Sequence, residues 1–303
     1  MSRSAANRVP WSALVAILLL FGAIAVLQSR IDAQTRDFAA QKQELFLSSP
    51  TAIQKLSLGY DSLLGDIYWT RVVQYYGSRL NESHRNFDLL WPLLNITTTL
   101  DPKLIVAYRF GAIFLSEQDL GADRTDLAVK LVQRGIQANP DNWRLDGDLG
   151  FLYYWRLKDY PKSAAVYLAG SKKPGAPAWM KVMAARVSAM GGSLETSRLI
   201  WSEIYESTRD PHIQKMAMEE LKTLKAQMDE QQLDELAADY RKRFGRYPAS
   251  TEELRAAGLV GGIPLDPAGY PYIFGADGKS SLDPRSPVHA QAEASAKPSG
   301  ASK

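Results

Sequence analysis

The chain contains three histidines, His84, His212 and His289, the side chains best suited to move a proton near neutral pH. They are far apart in sequence, show no metal-ligand spacing, and have no obvious nucleophile partner. Asp146 and Asp148 lie two residues apart on a predicted helix. They therefore face different directions and read as solvated surface. Glu219-Glu220 reads as a charged helix face. No glycine-rich phosphate loop and no G-x-S-x-G elbow occurs. The sequence has no cysteine, which excludes thiol catalysis, disulfides and cysteine-ligated metal sites. Asp266 and Asp277 are the only acidic residues between Glu253 and Asp283, too few oxygens for a hard cation. Asp266 is assigned instead to its own turn. The expectation is a protein without enzymatic activity, cofactor or metal.

Binding is then the remaining role, and composition narrows it. Apolar residues make up 46% of 303 residues and charged residues 23%, a globular balance. The net charge is +3, with neither a strong basic excess nor a clustered basic face, so nucleic acid is not an expected partner.

Residues 11 to 27, WSALVAILLLFGAIAVL, carry no charge and are just long enough to cross a bilayer as a helix. Ala23-Ile24-Ala25 resembles a signal-peptide cleavage site, but the run is longer than most such regions, which favours an uncleaved anchor. Arg3 and Arg8 precede it, and Arg30 and Arg36 are offset by Asp32 and Asp37. The positive-inside tendency places the amino terminus in the cytoplasm and the rest outside the inner membrane. The anchor is assigned to residues 1–28 and a polar stalk to 29–54.

From residue 55 the chain has a long period. Asp101-Pro102, Asn139-Pro140, Lys173-Pro174 and Asp210-Pro211 recur at gaps of 38, 34 and 37 residues. A period of this length signals stacked helical hairpins. Asp or Asn before Pro suits a helix start, where the side chain caps and no backbone donor is needed. Single small residues among aromatics, as in LDGDLGFLYYWRLKDYPKSAAVYLAG, let two helices approach while rings fill the space beside them.

This region resembles tetratricopeptide repeats. Leu149, Gly150 and Tyr153 match the first-helix pattern of one unit, Asp159-Tyr160 its turn, Tyr167 its second helix, and Pro174 or Pro177 its end. Gly111, Phe114, Ala128 and Pro140 fit the preceding unit, with an insertion over Glu117 to Asp123. Leu64, Gly65, Tyr68 and Pro102 fit the first unit; Ala184, Gly191-Gly192, Trp201 and Pro211 fit the fourth. The resemblance spans about residues 55–211 and implies a right-handed solenoid that binds protein partners on its inner surface. It implies groove positions at Asp66, Trp69, Tyr108, Arg109, Arg144, Tyr154, Trp155 and Lys181. Tyr153, Tyr154 and Trp155 are consecutive, about 100° apart on a helix, so at least one must leave the core.

Residues 212–244 read as an amphipathic capping helix. Ile213, Ala217, Leu221, Leu224 and Met228 form a stripe that Leu233, Leu236, Tyr240 and Phe244 continue after a small phase shift. A coiled-coil partner is the alternative. Residues 245–284 change character. Ser250 and Glu253 suggest a capping box, Gly258 a helix stop, and Tyr270–Phe274 and Lys279–Leu282 two strands joined across Gly275 to Gly278. Gly245, Tyr247, Pro248, Leu254, Gly258, Pro264, Asp266, Pro267, Gly269, Pro271 and Tyr272 match the carboxyl-terminal pattern of type II secretion major pseudopilins, with Ala268 where that family has an aromatic residue. No acidic residue precedes Asp32, so a processed pilin subunit is not expected. Residues 285–303, rich in Pro, Ser and Ala, are expected to be disordered.

The expected fold is mainly α: an amino-terminal transmembrane helix, a helical-repeat solenoid and a small helix-plus-β-hairpin module. The expected function is a membrane-anchored scaffold that joins proteins in a bacterial envelope assembly, for secretion, pilus-like structures or transport. The alternative is a permanent structural subunit of a large membrane complex.

Overall fold

The computed structural model describes residues 49–80, 82 and 85–296, with a few isolated positions between 20 and 30. The apolar run at 11–27, the stalk before residue 49 and the last seven residues lie outside this description or touch it only at those positions. No helix among the described residues is long and apolar enough to cross a membrane. The described chain is mainly helical and divides into two compact units.

The first unit holds α1 (Pro50–Leu56), α2 (Asp61–Leu80) and α3 (Leu90–Leu100). Gly65, Tyr68, Val72 and Tyr75 recur at three to four residues and give α2 one buried face. Leu90, Leu93, Leu94, Ile96 and Leu100 of α3 are buried. A methyl group at Gly65 would come within 2.9 Å of Asp101 Cβ, so glycine permits the close approach.

The second unit takes Glu82–Phe87 and everything from Pro102 on, and stacks hairpins in chain order. They are α4 (Ile105–Ser116) with α5 (Thr125–Ala138), α6 (Trp143–Phe151) with α7 (Tyr160–Ser171), and α8 (Trp179–Met190) with α9 (Leu194–Ser207). The helix α10 (Pro211–Phe244) follows. The mixture of small and aromatic residues resolves into pairs across helices. A methyl group at Gly135 would meet the Tyr108 ring at 2.8 Å, and one at Gly150 the Tyr167 ring at 2.9 Å. Each ring fills the hollow that its glycine leaves.

The X-Pro pairs act differently from the expectation. Asp210 is an N-cap, accepting from the backbone N–H of His212 at 2.8 Å, with Pro211 opening α10. Asp101 and Asn139 instead end helices. Asn139 Nδ2 donates to the carbonyls of Pro102 (2.8 Å) and Gly135 (3.1 Å), tying the end of the α4–α5 hairpin to its start. Lys173-Pro174 lies in the turn after α7. The period is real, but three of its four marks are stops, because Pro disfavours helix in the residue before it.

The 34-residue α10 is about 51 Å long at 1.5 Å per residue. Ala217 and Leu224 join the core of Tyr167, Met180, Ile200, Trp201 and Ile204. Ala226, Leu233 and Tyr240 join a second core with Leu254, Tyr272, Leu282 and Val288. Leu224 and Ala226 are two residues apart, about 200° around the helix. The apolar stripe therefore crosses to the opposite face; it does not drift by a small phase. One helix serves two cores.

The carboxyl-terminal module contains α11 (Thr251–Ala256), the antiparallel strands β1 (Ile273–Phe274) and β2 (Ser280–Ser281), and α12 (Pro287–Ala296). Gly245, at φ +75°, lets the chain leave α10 in the left-handed conformation. The capping box does not form; a related bond reaches one residue further back. Glu253 accepts from the backbone N–H of Ala249 at 3.1 Å, and Ser250 makes no side-chain cap to the helix. The tail also departs from expectation over 287–296. Ser286 and Val288 are buried, and α12 packs on α10. Two anchoring residues suffice to dock a helix on a core that already exists.

Candidate partner-binding face

Arg144, Asp148, Phe151 and Trp155 follow one another at four, three and four residues, so they share one face of the α6 rod. That rod does not end as an α-helix. Residues Leu152–Arg156 form a π-turn, in which Leu157 N–H bonds the carbonyl of Leu152 at 3.1 Å. A π-turn widens the helix by one residue and recurs at functional positions. Here it divides the three consecutive aromatics. Tyr153 is buried, Tyr154 half-buried, and Trp155 is 53% exposed. Phe151, also half in water, lies nearly parallel to Trp155, with an interplanar angle of 11° and centroids 6.4 Å apart. Tyr154 leans on Tyr160 at 6.1 Å.

Two ion pairs hold this face against α4. Arg109 Nε donates to Asp148 Oδ2 at 2.7 Å, and Arg109 Nη2 to Oδ1 at 3.3 Å. Eight residues further along each rod, Arg156 pairs with Glu117 at 2.8 Å. Between these braces α4 exposes Phe110 and Ile113, and α6 exposes Phe151 and Trp155. Burial pushes the Asp148 carboxyl above its ordinary value, and Arg109 pulls it down without overcoming that burial. Arg109 is itself held above its ordinary value by the hydrogen bond to Asp148.

The braces neutralise the carboxylates of the face. Two cations beside it lie over aromatic rings. The Arg144 guanidinium lies 4.6 Å from the Trp143 ring centroid, and Lys158 Nζ lies 4.5 Å from that of Trp155. Lys158 holds a left-handed backbone, φ +53°, which sets it beside the ring. Aromatic rings with Arg and Lys, half in water on a rigid support, have the composition of binding hot spots.

The eight sequence-derived positions divide accordingly. Arg109, Arg144, Tyr154 and Trp155 come together on α4 and α6. Tyr108 does not belong to a surface: it is fully buried against Gly135, its hydroxyl 3.3 Å from the Pro102 carbonyl. Lys181 is a brace, paired with Glu203 between α8 and α9. Asp66 is exposed and Trp69 half-buried on α2, in the other unit. Phe110, Ile113, Phe151 and Lys158 were missed. The heptad-like run through Arg144, Phe151 and Trp155 would have pointed to Phe151, whereas the π-turn leaves no sequence signal.

Asp146 corrects another expectation. It is almost fully buried and bound to Lys173 at the end of α7, so it is an internal brace and not solvated surface. His212 and His289 lie on separate helices, and His84 falls outside the described residues. Among the described residues no group of three or more His, Asp or Glu could hold a metal. No family model matches the chain, and no curated protein or solved structure matches it either.

Proposed function

We propose that this protein is a membrane-tethered scaffold of tetratricopeptide-like hairpins that binds a protein partner and carries no catalysis of its own. The face of α4 and α6 is the docking surface. The observation that carries this reading is the parallel, half-exposed pair Phe151 and Trp155, clamped between two ion pairs and flanked by Arg144 and Lys158, each lying over an aromatic ring. Charge complementarity gives the partner an acidic segment with an apolar anchor. Arg144 and Trp155 lie eleven residues apart on one rod, about 16 Å, which an extended segment of about five residues spans. In the cell the tether places the scaffold at the inner membrane, with the hairpins outside the cytoplasm and the partner in an envelope assembly.

The test uses two synthetic peptides, one acidic with an aromatic residue and one with lysines in place of its carboxylates. Only the acidic peptide is expected to bind, and Trp155→Ala with Lys158→Ala should weaken it about tenfold or more. Equal binding of both peptides, or no effect of the variants, overturns the reading. A permanent structural subunit is the second reading, favoured by Met190 and Leu199 standing half in water on α8 and α9. It predicts a chain that self-associates when purified alone.

A further inference from the structure

The corner between α1 and α2 exposes a cluster of large apolar side chains. Leu56 is 78% exposed, Leu58 87%, Tyr60 66% and Leu63 56%, all within eight residues. Ordinary turns place polar residues or glycine there. This one also puts Leu58 in the left-handed conformation, φ +51°, followed by Gly59 at φ +91°. A strained backbone that presents a leucine to water is the kind of outlier from which function is inferred.

The corner is fixed from beneath. Ser57 is buried, its hydroxyl donating to the Gln54 carbonyl at 2.7 Å and bonding the Asp61 carboxylate. Tyr60 N–H bonds the Ser57 carbonyl at 2.9 Å. These bonds hold the Asp61 carboxylate against Ser57 and leave Leu56, Leu58 and Tyr60 outside; the next carboxylate, Asp66, is exposed one turn further along α2. Exposed Lys55 stands beside them. Aliphatic tips, an amphipathic tyrosine and a neighbouring lysine suit a bilayer interface.

Resting on the tethered reading above, we propose that the Leu56–Leu63 corner dips into the lipid surface and orients the first unit on the membrane. The occupant is argued from chain length. Residues 28–48 alone separate the apolar run 11–27 from Ser49. Even fully extended they reach about 70 Å. The corner is thus confined near any bilayer that holds the run, and this high effective concentration makes even weak insertion sufficient.

The chain has no cysteine, so Leu58→Cys in the full-length protein accepts a single environment-sensitive fluorophore. The labelled protein is reconstituted in phosphatidylcholine–phosphatidylglycerol vesicles containing lipids with nitroxides on their acyl chains. Emission is expected to shift to the blue, and quenching to exceed that of the same label at Leu199→Cys by about threefold. A second label at Leu63→Cys should lose that quenching when Leu58 is replaced by Asn. Water-like emission at position 58 overturns the inference. So does a blue shift without lipid quenching, which would mean that a second copy covers the corner. If the protein fails to float with vesicles, the tether itself falls, and the corner's lipid role with it. Flotation with a water-exposed label sinks the corner alone.

Discussion

The two ends of α10 bury their faces by different means. Toward its start, α10 closes an apolar core of helices, with Trp201 and Met180 at the centre and glycines receiving rings. Toward its end, the carboxyl-terminal module is small, has little regular structure, and relies on carboxylates that gather backbone donors. Asp266 accepts from Ala268 N–H (2.8 Å), Tyr270 N–H (2.9 Å) and the Ser286 hydroxyl. Asp234 accepts from Ser280 N–H at 2.7 Å and Lys279 Nζ at 2.8 Å, and Asp229 from the Tyr272 hydroxyl at 3.0 Å. A fold with enough helix–helix area relies on shape. One without it fixes its loops with charge-assisted hydrogen bonds.

Removing shape should do the most damage. Trp201→Ala deletes the largest fully buried side chain and is expected to cost about 3–5 kcal/mol. Denaturant unfolding would measure it, and hydrogen exchange should show the loss across α8, α9 and the start of α10. A loss spread equally into the module would break the contrast, because it would make the two cores one cooperative unit.

Asp266→Ala comes next, at about 2–3 kcal/mol, since it strands buried donors that a charged group had satisfied. Exchange should quicken over residues 264–288, while the hairpins keep their protection. If the hairpins loosen as well, α10 transmits the damage from one core to the other.

Legibility in the sequence followed the same division. Features set by local chemistry could be read: the hairpin period, the Asp210-Pro211 start of α10, the Gly258 stop, the Asp266 turn and the Gly275–Gly278 reversal. Features set by distant partners could not. Asp146 and Asp148 look solvated until Lys173 and Arg109 arrive from 27 and 39 residues away. The crossing of the α10 stripe shows only once two cores exist to claim its faces. The π-turn after Phe151 packs on the neighbouring helices α5 and α7, and α12 forms on a sparse sequence because Val288 finds a core already built. Of the proposed docking face, the sequence held Arg109, Arg144, Tyr154 and Trp155, and lacked the geometry that makes Phe151 their partner.

Acid should separate the two ends further. The Arg246 guanidinium, with Ala249 N–H, lowers the Glu253 carboxyl to about 2, and Arg285 lowers Asp283 to about 2. Folded values below unfolded ones contribute stability that is present above the ordinary carboxylate range and lost as pH falls toward about 2. Asp148 in the hairpins, raised by burial, has the opposite sign, its protonation on acidification favouring the folded state. It offsets part of the loss from Asp126, Asp159 and Glu195, which Arg124, Lys162 and Arg198 lower. Glu230, raised in the same way, partly offsets the loss in the module. Protection in the module is expected to fall between about pH 4.5 and 2, ahead of the hairpins. Simultaneous loss would show that these ion pairs contribute little.

The smallest test applies one substitution to each end. Ser163 is buried between α6 and α7, and its hydroxyl donates to the Gly150 carbonyl at 2.8 Å. Ser286 is buried in the module, bonded to Asp266 and accepting from Val288 N–H at 3.2 Å. Serine to alanine should cost about 1 kcal/mol at either position, the usual net value of one hydrogen bond. The location of the loss should differ. Ser163→Ala leaves the packed rings around it in place, so the deficit should appear only in global unfolding. Ser286→Ala removes one of the few bonds that dock α12, so exchange should quicken from Asp283 onward while the global midpoint barely moves. Equal effects by both measures would mean that the module is as cooperative as the hairpins, and that its carboxylates and hydroxyls act as a single network and not as separate pins.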